Sequence, residues 1–220
     1  MKKQWVIGIV IILVISTIMT PIQAKEQATN SFQVEAKYYK DIQELKYPQV
    51  SGMEDDSIQK NINKTLEDYI KDSYESYQET IEKAEEQGFP FDYQSEFEVK
   101  YQKDEKLSIL TSDYMFSGGA HGSTEVKSFN FDLTEAKQVF LTDILTTDDQ
   151  IEQAKEYLWN YMKDRPNIFF PDVKKEDITL GKDTSFYFTD RGIAIVFQAY
   201  EVAPGVAGNQ EIEIPKDVYQ

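Results

Sequence analysis

The chain has 220 residues and no cysteine, which excludes disulfide bonds, thiolate metal sites and a cysteine nucleophile. Its 39 acidic and 23 basic residues give a formal net charge of −16, which disfavours nucleic acid and anionic lipid as partners and favours basic ones. Hydrophobic residues make up 40% and aromatic residues 13% of the chain, a composition typical of a folded domain with a real core.

The N-terminus has the pattern of an export signal. Two lysines precede an apolar run, Trp5–Met19, and the small residue Ala24 follows it. This pattern predicts a signal peptide over residues 1–24, cleaved after Ala24, with an uncleaved membrane anchor as the alternative. We expect a linker over residues 25–31 and a single domain over residues 32–220. We also expect a secreted or cell-envelope-associated location, outside the cytoplasmic membrane, of the kind found in Gram-positive bacteria.

The first half of the domain predicts two strands separated by a long helix. Alternating apolar residues from Phe32 to Tyr38 indicate the first strand. Apolar residues at intervals of three and four then indicate an amphipathic helix that begins near Asp55 or Asp56 and ends at Gly88. Alternation from Phe91 to Tyr101 indicates a further strand with one face exposed to solvent.

The middle of the chain predicts the central hairpin of an antiparallel sheet. Two alternating segments within Lys106–Leu133 flank a glycine cluster, which is a hairpin signal. A short strand is expected at Val139–Leu141. A second helix should follow, because Thr147 and Gln150 have the spacing of a capping box.

The C-terminal part again predicts strands. Phe186–Phe188 and Ile193–Tyr200 form a hairpin in this interpretation, with Gly192 supplying a positive φ at the turn. Ile212–Ile214 is expected as the last strand. The whole pattern indicates an α+β fold, an antiparallel sheet with a long N-terminal helix and a second helix packed on it.

The only histidine, His121, lies in the glycine cluster, near Ser117, Ser123 and Glu125 in sequence. A catalytic base needs a nucleophile or an orienting acid, but a histidine in such a turn more commonly tolerates unusual φ or hydrogen-bonds the turn. Zinc would need further His or Cys ligands. We therefore predict no catalytic residue, no metal ligand, no cofactor and no enzymatic activity.

Exposed-loop composition gives a different hypothesis. The segment YEVAPGVAG, residues 200–208, and the loop Ser117–Ser123 offer rigid aromatic and apolar groups of the kind that protein-binding surfaces use. We expect the two loops to lie together. The predicted binding residues are Ser117, His121, Ser123, Tyr200, Pro204 and Val206.

Several segments together resemble a known family. They are FSGGAHG at Phe116–Gly122, FNFDL at Phe129–Leu133, LTDIL at Leu141–Leu145, and the stretch Phe186–Pro215. In combination they are similar to the extracellular domain of the RsiV anti-sigma factor family and to the non-catalytic N-terminal region of PdaC-type peptidoglycan deacetylases. The family usually has glycine where this chain has Ala136. The resemblance implies an α+β fold and an envelope location.

The resemblance also implies a kind of partner. RsiV-like domains bind lysozyme, a strongly basic protein, and an acidic domain is electrostatically suited to it. We expect a non-enzymatic binding or sensing domain whose partner is a basic protein such as lysozyme, or the cell wall. Membrane contact is expected only through an uncleaved N-terminal segment. Sigma-factor inhibition is not expected, because only four residues precede the apolar run. The alternative is a cell-wall glycan hydrolase that uses paired carboxylates.

Overall fold

The computed structural model describes residues 32–220. The predicted signal peptide and linker lie outside the described residues. Strands and helices alternate irregularly along the chain, which confirms the α+β class. The strands are β1 Gln33–Tyr38, β2 Lys46–Ser51, β3 Asp92–Lys103, β4 Lys106–Phe116, β5 Ser123–Asp132, β6 Lys137–Gln138, β7 Phe186–Phe188, β8 Gly192–Phe197 and β9 Gln210–Pro215. The α-helices are α1 Asp56–Gln87, α2 Leu141–Ile144 and α3 Asp148–Lys163.

The strands of the described region form three antiparallel sheets rather than one. Their orders are β1-β2, β3-β4-β5-β6 and β7-β8-β9. β4 pairs with β3 on one side and β5 on the other, so the predicted central hairpin is confirmed with β4 as an interior strand. Because β4 ends at Phe116 and β5 begins at Ser123, the glycine-rich loop between them lies at one end of the central sheet.

Helix α1 forms where the sequence predicts it. The Asp55 carboxylate caps it by accepting the backbone N–H groups of Ser57 at 2.7 Å and Ile58 at 3.3 Å. The helix ends at Gly88, which adopts the left-handed conformation. Its apolar stripe is buried against β2 and the central sheet. The shared core contains Ile62, Leu66, Val50, Leu107, Ile109 and Phe131.

Helix α3 belongs to a second core, built on the third sheet. Its capping box is confirmed, since the Thr147 hydroxyl accepts the Gln150 N–H at 3.2 Å and the Gln150 side chain accepts the Thr147 N–H at 3.1 Å. The helix packs on β8 and β9 through Ala154, Leu158, Met162, Ile195, Phe197 and Ile212. None of the helices within residues 32–220 is long and apolar enough to cross a membrane.

The two cores are joined through β7. The Asn130 side-chain amide on β5 donates to the Phe186 carbonyl at 2.8 Å. The Ser108 hydroxyl on β4 accepts the Phe188 N–H at 3.0 Å. Each bond pairs polar groups that are buried where the two cores meet. The two bonds therefore help to fix how the third sheet packs on the central sheet.

One predicted strand is wrong. Val139–Leu141 is not a strand: β6 is Lys137–Gln138, and Leu141 begins the short helix α2. The Asp143 carboxylate accepts the Phe140 N–H at 2.8 Å at that helix start, so a local side-chain bond ends the ladder. Ala136 has φ +54° in the turn before β6, so the left-handed turn forms with alanine at this position.

Gly192 does not adopt positive φ, contrary to the prediction. A Cβ at this position would collide with the Ile214 carbonyl of the neighbouring strand. Glycine is therefore required for close approach of β8 to β9. β8 also ends at Phe197, short of the predicted Tyr200.

A buried carboxylate fixes α1 against the central sheet. Asp113 on β4 is only 6% exposed. It accepts hydroxyl hydrogen bonds from Tyr69 at 2.7 Å and Ser73 at 2.7 Å on α1, and from Ser95 at 2.6 Å on β3. We call these four residues the hydroxyl cluster. Burial raises the pKa of Tyr69 well above its usual range, so this hydroxyl remains a donor. Three donors offset the cost of burying the carboxylate.

The substitution Asp113→Asn tests the hydroxyl cluster. The asparagine side chain has an NH2 group where Asp113 has its second carboxylate oxygen. This NH2 group would face hydroxyl groups that now donate hydrogen bonds to Asp113. We expect the free energy of unfolding in urea to fall by about 1–3 kcal/mol. Asp183→Asn, at an exposed position, should change it by less than about 0.5 kcal/mol. Equal losses in the two variants would contradict the structural role assigned to Asp113.

Candidate functional site

The two predicted binding loops lie together at one end of the central sheet. The Tyr200 hydroxyl is 3.1 Å from Nε2 of His121, and the two rings are nearly parallel, with centroids 6.0 Å apart. Nδ1 of His121 is 3.1 Å from the Gly122 carbonyl. A carbonyl only accepts, so Nδ1 carries the hydrogen, and in the neutral ring Nε2 accepts from Tyr200. The histidine therefore links the glycine loop to the second loop.

Tyr200 is held in an uncommon backbone conformation, with φ +68°. Its ring lies over Gly205, where a Cβ would collide with the phenol. The tyrosine is nevertheless 55% exposed, and Val206 in the same loop is 98% exposed. Left-handed φ for a bulky residue costs on the order of 1–3 kcal/mol, which the His121 bond and the Gly205 contact help to offset. The loop presents an aromatic and an aliphatic side chain to solvent.

The other predicted residues lie around this pair. Ser117 is half-buried at the end of β4, Ser123 is exposed at the start of β5, and Pro204 is exposed beside Gly205. Within the described part of the chain, neither serine hydrogen-bonds His121. The structure therefore brings His121 and Tyr200 into contact and leaves the two serines at the ends of the glycine loop.

Sequence reasoning missed two exposed phenylalanines at this end. Phe89 and Phe91 are 51% and 42% exposed and occupy the turn between α1 and β3. The Phe89 ring takes the space that a side chain at residue 118 would need, because a Cβ on Gly118 would be 2.5 Å from it. The signal available in the sequence was GFPF, two rings around a proline directly after a helix-ending glycine. We call Phe89, Phe91, His121, Tyr200 and Val206 the tip surface.

The tip surface is built from segments that carry acids and no bases. The segments that build it, residues 85–92, 113–126 and 198–209, contain no Lys or Arg. Lys127, just outside them, pairs with Glu125 at 3.2 Å. Partial desolvation raises the pKa of the Glu201 carboxyl. Asp113 is buried in the hydroxyl cluster, and the exposed acids of the three segments are Glu85, Glu86, Asp92, Glu125 and Glu201.

The described residues show no metal-binding arrangement. Between residues 32 and 220, no group of three or more His, Cys, Asp or Glu side chains is placed to hold a metal ion. Exposed apolar side chains in segments that carry acids and no bases are suited to contact with a macromolecule that carries positive charge.

The two parts of the chain match two family models. Residues 32–124 match the model described as Deacetylase PdaC. Residues 142–217 match DUF3298, a protein family of unknown function. His121 lies in the first region and Tyr200 in the second, so the tip surface is assembled across both.

Two Bacillus subtilis (strain 168) proteins are similar to this chain. Peptidoglycan-N-acetylmuramic acid deacetylase PdaC is 27% identical over 168 residues, which cover 74% of this chain and 35% of the deacetylase. Anti-sigma-V factor RsiV is 28% identical over 185 residues, which cover 80% of this chain and 63% of RsiV. The chain therefore spans less than two thirds of each relative.

Two solved structures share the fold. A DUF3298 family member from Bacteroides fragilis superposes with a TM-score of 0.60 at 17% identity, covering 86% of this chain and 92% of that one. A DUF3298 protein from Pseudomonas aeruginosa gives 0.57 at 18% identity, covering 85% and 91%. The chain thus combines a PdaC-type N-terminal region with a DUF3298 region. It is a distant relative of PdaC and RsiV of B. subtilis.

The pair Gly118→Ala and Gly119→Ala tests the contact between the glycine loop and Phe89. Both glycines have positive φ, +117° and +99°, but only Gly118 faces the Phe89 ring, and Gly119 has nothing within 4 Å of its Cβ position. We expect Gly118→Ala to cost about 1 kcal/mol more of unfolding free energy than Gly119→Ala. Adding Phe89→Ala should remove that difference. Equal costs in the single variants would show that the ring does not constrain the loop.

Proposed function

We propose that this protein is a non-enzymatic extracellular binding or sensing domain of a bacterial cell envelope. We propose further that it binds a basic protein such as lysozyme through His121, Tyr200 and Val206 of the tip surface. The observation that carries the proposal is the meeting of the two loops. Tyr200 and His121 are far apart in sequence, yet they form one exposed ring pair. Both residues lie in segments that carry acids and no Lys or Arg.

The apolar part of the surface supports a binding role. Tyr200 and Val206 are 55% and 98% exposed, and a partner that covered them would remove apolar area from water at about 25 cal/mol per Å². Aromatic side chains held in one conformation lose little entropy on binding, so they are common binding anchors. The Tyr200 hydroxyl is hydrogen-bonded to His121, and the Tyr200 ring packs over Gly205, which has no side chain.

The charge supports a basic partner. Acids at the border of an apolar contact steer an oppositely charged protein and disfavour acidic competitors. The net charge of −16 acts in the same direction at longer range. The resemblance to RsiV-like domains gives lysozyme as the basic protein to test first.

The environment of His121 favours binding over hydrolysis. Its ring contacts the Gly122 carbonyl and the Tyr200 hydroxyl, bonds that hold two loops together. A general base would instead be oriented by an acid and face a nucleophile. The envelope location rests on the predicted export signal and on the relative named for a peptidoglycan activity.

Calorimetry with lysozyme tests the proposal. We expect a complex at low salt that weakens as salt is added, because exposed charges are screened. Tyr200→Ala should weaken it about tenfold or more. Tyr38→Ala, which removes a 43% exposed tyrosine on β1, should leave affinity within about twofold.

Two outcomes would contradict the proposal. One is no heat with lysozyme at low salt. The other is turnover of cell-wall glycan by the purified protein that is lost when a carboxylate is changed to its amide.

A further inference from the structure

The end of α1 carries exposed rings that the fold does not bury. Phe89 and Phe91 are 51% and 42% exposed on either side of Pro90. Phe91 packs edge-on against Tyr77, with centroids 6.1 Å apart, and Phe89 lies against Gly118. The two rings are therefore held in place by these contacts and remain exposed to solvent. Contiguous exposed apolar groups of this kind mark interaction surfaces in soluble proteins.

The charge at the same helix end is unfavourable for the helix itself. The last turn of α1 has no basic residue, and Glu85 and Glu86 are exposed there. A helix C-terminus carries partial negative charge, so acids near it are destabilising. Helix α3 has the usual arrangement, with Lys163 in its last turn. The backbone carbonyls and the two glutamates together make a negative site beside the phenylalanines.

We infer that the C-terminal end of α1, with Phe89 and Phe91, forms the second half of the surface that contacts the partner. This half receives cationic side chains of the basic partner, arginine above all. The inference rests on the proposed function. A guanidinium can lie flat on the exposed Phe89 ring while its charge faces the helix end and Glu86. Charge complementarity thus names the occupant: a protein face that is basic and rich in arginine.

This second half is continuous with the first. Phe89 contacts Gly118, the glycine loop continues to His121, and His121 bonds Tyr200. One partner face can therefore cover the helix end, the glycine loop and the loop of Val206 together. Three separate segments of chain would share the contact, and loss of either end should weaken the complex.

Two substitutions of exposed rings test the inference against one shared control, with each variant exported by and purified from a bacterial host. Phe89→Ala should weaken lysozyme binding by about tenfold, and Ile168→Ala, at a 38% exposed position on another loop, by less than about twofold. Phe91→Ala, which leaves the Gly118 contact in place, should also weaken binding. Calorimetry at one low salt concentration gives all the affinities.

Charge reversal separates binding from folding. Glu86→Lys and Glu176→Lys change the net charge equally, at two exposed positions. Glu86→Lys should weaken binding by about fivefold more than Glu176→Lys. It should also keep or raise the midpoint of urea unfolding, because a cation suits a helix C-terminus. Weaker binding by a variant at least as stable as the parent cannot come from misfolding.

The outcomes distinguish this inference from the proposed function. If the parent binds lysozyme and Phe89→Ala, Phe91→Ala and Glu86→Lys bind equally well, the inference is wrong and the proposed function stands. If the parent does not bind lysozyme, both are overturned. Loss of binding in these variants but not in their controls is the result expected.

Discussion

The Asp113 carboxylate is the interaction on which the arrangement of this domain depends. It lies on the interior strand β4 and accepts hydrogen bonds from Tyr69 and Ser73 on α1 and from Ser95 on β3. A buried carboxylate tolerates little change in the positions of its donors, because each lost bond leaves charge unsatisfied in the core. The helix is thus fixed in position and rotation relative to the sheet. Since α1 is 32 residues long, that fixed position also decides where its last turn and Phe89 lie.

The tip surface follows from this placement. The end of α1 brings Phe89 beside Gly118, and the glycine loop brings His121 beside Tyr200. Glycine at position 118 leaves room for the ring, and glycine at 205 leaves room for the phenol. Small residues and aromatic residues are paired across loops, so the loops can approach closely and still present their rings outward.

Charged residues are arranged differently along α1 and at its C-terminal end. Most lysines of the described region stand near acids, as in the pairs of Lys64 with Asp68 and Lys71 with Glu67 on α1. The last turn of that helix contains Glu85 and Glu86 and no basic residue, and the helix dipole disfavours acids there. Cations there would stabilise the helix more, whereas the glutamates place negative charge next to Phe89 in the sequence. That combination suits a site whose partner supplies the positive charge.

The sequence by itself determined the elements whose signals are local. The Asp55 cap and Gly88 define α1, the Thr147 capping box defines the start of α3, and alternation around the glycine cluster defines the central hairpin. Each signal acts within a few residues, through hydrogen bonds or φ preferences that do not depend on the rest of the fold. The meeting of the two loops was also expected, from the composition of the loops.

Only the tertiary structure decided which elements became neighbours. Alternation shows that a side chain faces inward, but it does not show that Asp113 meets Tyr69, 44 residues away, or that the strands divide into three sheets. Nor does it show that Phe89 would lie against Gly118. Gly192 is glycine because of a carbonyl on another strand, and no local pattern contains that information. Long-range packing selects among many arrangements that local preferences permit equally, which is why these contacts could not be read from the chain alone.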